Sequence, residues 1–96
     1  MAFFADILMP GTIYNRTIPP FSTLSLTGTC IDTNNSTGKA TLNILRENNA
    51  IPLCYLDMQN TPQQEIDLCL RPRESIELQV EGNANICISG FWKPAV

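Results

Sequence analysis

Between residues 65 and 92 apolar and polar side chains alternate with a period of two, and no other feature of the chain restricts its fold as tightly. Ile66, Leu68 and Leu70 share one parity with Ile76, Leu78, Val80, Ile86 and Ile88. Glu65, Asp67, Arg71, Glu77, Gln79 and Glu81 take the other. Alternate residues of a strand point to opposite faces, so this segment reads as three half-buried strands. The breaks between them, RPRE and GNA, carry turn residues. These three strands are expected to form a meander, with Leu68 beside Leu78 and Leu78 beside Ile88.

The remainder of the chain is punctuated in the same manner. Strand-type runs cover roughly residues 3–9, 12–17, 22–32, 40–46 and 51–58. Pro10-Gly11, Pro19-Pro20, DTNNSTGK, ENNA and QNTPQ separate them. Leu24, Leu26 and Cys30 share a parity in the third run. No unbroken stretch keeps a 3.6-residue period. The chain is 96 residues long and shows no linker or repeat. The expected fold is therefore all-β: a single antiparallel β-sandwich of seven or eight strands over residues 1–96, with a jelly-roll or immunoglobulin-like arrangement.

Composition narrows the function by exclusion. Lys and Arg number six against nine Asp and Glu, a net charge of −3, and no basic run exists. A nucleic-acid partner would need a cationic stripe, so none is expected. No apolar run reaches the ~20 residues of a membrane helix, and no membrane partner is expected. The N-terminal MAFFADILMPG lacks the basic start of a secretory signal, which implies synthesis in a cytoplasm. Asn15, Asn34 and Asn35 fall in glycosylation sequons that an Asn- and Thr-rich chain produces by chance.

Catalysis is not expected either. The chain has no histidine, which removes Ser-His-Asp and Cys-His mechanisms and His-based metal sites. The acids near Cys69 oppose a reactive thiolate. The four cysteines, Cys30, Cys54, Cys69 and Cys87, lie within strand-type runs, without the close pairs of a zinc site. No metal or cofactor is implied, and the cysteines read as free thiols. In the expected meander Cys69 and Cys87 are two strands apart, roughly 10 Å, too far for a disulfide.

Three runs are apolar on both parities. Residues 51–58 set Ile51, Leu53 and Tyr55 against Cys54, Leu56 and Met58; residues 2–9 are almost wholly apolar; and residues 86–92 end with Phe91 beside Trp92. A strand apolar on both faces needs cover on both, and in so small a domain another subunit supplies it. Cys54, Leu56, Met58 and Phe91 are the expected contact residues, with Trp92 facing inward. Low charge, no catalytic set and two-faced strands suit a non-enzymatic assembly subunit. The expected setting is a virus or phage particle, as a capsid, decoration or fibre protein that forms homo-oligomers or joins other structural proteins of a virion. The alternative is a carbohydrate-binding or other ligand-binding sandwich, with Tyr14, Tyr55, Phe91 and Trp92 as stacking platforms.

Overall fold

The computed structural model describes residues 2–32 and 37–95; the sequons at Asn34 and Asn35 and the centre of the DTNNSTGK loop lie outside them. Eight strands follow in order: β1 Ala2–Leu8, β2 Ile13–Thr17, β3 Ser22–Ile31, β4 Lys39–Arg46, β5 Asn49–Asp57, β6 Gln63–Leu70, β7 Ser75–Gly82 and β8 Ile86–Pro94. They form two antiparallel four-stranded sheets, β1-β8-β3-β6 and β2-β7-β4-β5. Here β1 pairs with β8, β2 with β7, β3 with β6 and β4 with β5. The chain is thus one long hairpin, tipped by β4–β5 and rolled so that, apart from that tip, successive strands change sheets. That is a jelly roll, and the all-β sandwich expected from the sequence is the observed fold.

The expected meander is not observed. β7 belongs to the second sheet, while β6 and β8 each pair with β3. Leu68 lies opposite Leu26 and Leu78 opposite Ile44 and Tyr14. Short links suggest hairpins, but RPRE and GNA instead carry the chain from one layer to the other. Cys69 and Cys87 are still separated by one strand, now β3.

The turns show why the chain bends where it does. Glu47 and Asn48 both have positive φ, 51° and 66°, as a two-residue type I′ hairpin turn requires. Gly11 takes φ 83° between β1 and β2. After β5, Asp57 organises the turn that reaches Thr61. Its Oδ1 accepts the Gln59 N–H at 2.9 Å and its Oδ2 accepts Asn60 Nδ2 at 3.2 Å. The Gln59 N–H, more than any other neighbour, holds the Asp57 carboxyl below its ordinary range, against the opposing effect of burial. A carboxyl depressed in the folded state stabilises fully above its unfolded pKa, and that contribution is lost as pH falls through the folded value. Asp57→Asn is therefore expected to flatten the fall of melting temperature below about pH 4, a comparison that thermal scans of both proteins between pH 2 and 6 would make.

Inward side chains of both sheets form one core, in which Leu42, Leu56, Leu78 and Ile86 are fully buried. β8 keeps its alternation throughout: Ile86, Ile88 and Gly90 are buried, while Cys87, Ser89 and Phe91 face out. The irregularity lies opposite, in β3. Leu26 pairs with Gly90 but Gly28 with Ser89, so Thr27 is an extra residue. Such a bulge exchanges the faces of everything beyond it. Leu24 and Leu26 point inward before it, Thr29 and Ile31 after it. Cys30, expected on the core parity, is exposed instead. Buried Thr29 is satisfied by the Gln64 carbonyl at 2.8 Å and lies 3.6 Å from Cys54 Sγ.

Candidate assembly surface

The two sheets face one another so that Arg16 of β2 reaches Phe4 of β1 on one flank and β5 approaches β6 on the other. On the β1/β2 flank the gap between layers is closed by Asp6, Tyr14 and Arg16, each half-buried. Arg16 Nε donates to the Tyr14 hydroxyl at 2.8 Å. Its guanidinium sits 4.9 Å from the Phe4 ring centre and 5.8 Å from that of Trp92, and these rings meet edge to face at 5.8 Å. A planar, weakly hydrated cation suits such a stack. Burial raises the Tyr14 pKa, opposed by Arg16 and supported by a hydrogen bond to Asp6. The phenol stays protonated and bridges acid to base.

Outside this plug the same flank is apolar. On the outer face of the first sheet Phe3 lies opposite Phe91, Ala5 opposite Ser89 and Ile7 opposite Cys87. Phe3 and Phe91 meet edge to face at 6.0 Å and remain 68% and 39% exposed. Ile7 and Met9 extend the patch, each more than half exposed, while Ile13, 53% exposed, faces out from β2 in the other sheet. A second apolar region lies on β5, the edge strand of the other sheet: Tyr55, 51% exposed, faces out beside Thr41, Leu53 is half-buried, and Ile51, turned to the opposite face by the slip at Leu53, is 46% exposed opposite Ile44. The two regions occupy opposite flanks and opposite sheets.

The four expected contact residues divide. Phe91 faces out from β8, and Met58 is half-buried against the core just past β5. Cys54 and Leu56 are core residues, 6% and 0% exposed, and cannot present a surface to another molecule. On β5, Cys54 pairs with buried Leu42, which fixes it inward, whereas Tyr55 lies beside Thr41 and faces out. The register slips at Leu53, where Asn43 pairs with Pro52. Both parities of this strand are apolar, so periodicity could not choose between them. The exposure of Phe3, Ile7, Ile51 and Tyr55 was likewise hidden in apolar runs.

The supposed aromatic platform is dispersed. Tyr14 and Trp92 are turned into the β1/β2 gap, Phe91 lies on the outer face of β8, and Tyr55 is on the far flank. Among the described residues no group of three or more His, Cys, Asp or Glu side chains is placed to hold a metal ion, and no helix is long and apolar enough to cross a membrane.

The fold and its surface define an eight-stranded jelly-roll domain with exposed apolar residues along two opposite flanks and at Phe21, between β2 and β3. The sequence model of the nucleoplasmin-like domain matches residues 3–93, and the chain belongs to that family. No curated protein matches it. Among solved structures it is similar to the nucleoplasmin-like N-terminal domain of Drosophila FKBP39, with 17% identity, a TM-score of 0.72, and 99% of this chain and 90% of that one covered. It is also similar to the Drosophila NLP core, with 13% identity, a TM-score of 0.72, and 97% and 99% covered. The crystal structure of that core bears on pentamer formation and histone binding. The family match overturns the expected place in a virus or phage particle. Strand patterning and low charge describe a jelly roll with sticky flanks, and capsid subunits share those properties with nucleoplasmin-like domains.

Proposed function

We propose that this domain is a non-catalytic assembly module that closes into a homopentameric ring and binds histones through its acidic surface. The diagonal placement of the two apolar flanks carries the assembly reading. A contact between unlike patches repeats head to tail and gives a ring when the rotation closes. Phe3, Ile7 and Phe91 of one subunit would meet the β5 edge of the next around Tyr55, and each subunit would use both patches once. The pentamer of the Drosophila NLP core supports five as the number.

Histone binding rests on family membership together with charge. Glu65 and Asp67 are exposed on β6, and Glu77 on β7, away from the Phe3–Phe91 patch. A ring repeats the net charge of −3 around its circumference, which attracts basic proteins over a range set by salt. Light scattering should give five times the subunit mass of 10.7 kDa. Core histones should bind this species, more weakly as salt rises, and the triple change Glu65→Gln, Asp67→Asn, Glu77→Gln should weaken binding at unchanged mass. A monomer in solution sinks the ring; a pentamer indifferent to histones at low salt sinks the partner.

A further inference from the structure

The Thr27 bulge has a chemical result. By turning Cys30 to the outer face it sets that residue directly opposite Cys87 on the neighbouring antiparallel strand. Facing residues of such strands have Cα atoms about 4.5 or 5.5 Å apart, depending on the hydrogen-bonding position. Both values fall within the roughly 4.4–6.8 Å that a disulfide spans without backbone movement. Neither of the other thiols has such a partner. Cys69 lies opposite Ser25, and Cys54 is buried beside Thr29. We infer that Cys30 and Cys87 are a reversible dithiol–disulfide pair that exchanges with small-molecule disulfides of the glutathione type.

The two thiols differ in a way that assigns their order of reaction. Cys30 is exposed and Cys87 is half-buried between Ile7 and Cys30. Burial first, and then the neighbouring Cys30 and Asp32, push the Cys87 thiol up. Cys30 is therefore the sulfur that an incoming disulfide meets. Its thiolate attacks one sulfur of oxidised glutathione, forming a mixed disulfide and releasing one glutathione thiolate. Cys87 then loses its proton to solvent and attacks the Cys30 sulfur, which releases the second glutathione. Two protein thiols are oxidised and one small-molecule disulfide is reduced to two thiols, so electrons and protons balance. The product joins β3 to β8, the two central strands of the first sheet. It requires no contact between subunits, although Cys87 borders Ile7 of the proposed ring contact.

The test uses the full chain in buffers of graded reduced and oxidised glutathione, quenched by alkylation and analysed by peptide mass spectrometry. The expected product is a cross-linked peptide pair containing Cys30 and Cys87, with the intact chain lighter by two hydrogens, reversed by excess reduced glutathione. Cys69 should carry only a glutathione adduct. A neighbouring thiol acts at an effective concentration of millimolar or more, so against about 0.1 mM free thiol it should resolve the adduct at least tenfold in its own favour. Accordingly Cys87→Ser should raise the glutathione adduct on Cys30 about tenfold over the parent protein, while Cys69→Ser should leave the cross-link unchanged. The inference is overturned if Cys30 in the parent protein accumulates adduct as it does in Cys87→Ser. It is equally overturned if Cys30 stays reduced at every ratio, or if the cross-link joins any other pair.

Discussion

Gly90→Ala should cost roughly 3 kcal/mol or more, although it adds a single methyl group. Gly90 sits on the core parity of β8, buried, with Phe4 on one side and Leu26 on the other. A Cβ there would run into the Ser25 carbonyl and Leu26 Cα, which are backbone atoms and cannot swing aside. The demand is for space and comes from β3, whose chain swells at Thr27 next to this contact. Relief would require parting the two central strands of the sheet, and a domain of this kind has only about 5–15 kcal/mol to lose. Gly11 supplies the control. Its φ of 83° disfavours alanine, but nothing lies within 4 Å of the added carbon. Gly11→Ala should cost only about 1 kcal/mol through backbone strain. Urea midpoints of the two variants should therefore separate clearly, and equal midpoints would contradict the close approach of β3 and β8.

Gly90 also marks where sequence patterning stops being informative. The alternation from Ile86 to Trp92 correctly assigns each side chain to a face, because the pattern is dense and β8 is regular. The same reasoning fails on β3, where one extra residue reverses the faces between Leu26 and Thr29. A sign of it was present, since a glycine within a strand often accompanies a bulge, and Gly28 follows Thr27. Which strand neighbours which was harder to see. A period of two reports the face a residue takes and says nothing of the partner strand, so RPRE and GNA looked like hairpins when they connect two layers. On β5 the pattern was silent for another reason: Ile51, Leu53 and Tyr55 are as apolar as Cys54, Leu56 and Met58. Only pairing with β4 sends Cys54 and Leu56 into the core. The surface could not be read until the faces were known, and the family could not be read from patterning at all, because jelly rolls with very different roles share it.

Phe91→Asp and Tyr55→Asp should each convert the proposed pentamer to monomer. Both residues face outward, 39% and 51% exposed, so an aspartate at either position meets water in the free subunit and leaves the fold intact. In the assembly each would bury an unpaired charge at a contact, a defect that commonly costs 2 kcal/mol or more at each interface. A ring cannot avoid it, since every subunit contributes both patches. Mixing the two variants distinguishes the kind of contact. Phe91→Asp keeps a sound β5 patch, and Tyr55→Asp keeps a sound β1/β8 patch. One good interface can therefore form between them, but neither subunit can extend it. Equal amounts should give a heterodimer and nothing larger, although each variant alone stays monomeric. A self-complementary contact behaves otherwise. If the β1/β8 patch met its own copy, Tyr55→Asp would still associate with itself, and mixing with Phe91→Asp would add no heterodimer. Native mass spectrometry of the two variants and their mixture separates these outcomes, and a Tyr55→Asp pentamer would remove β5 from the interface.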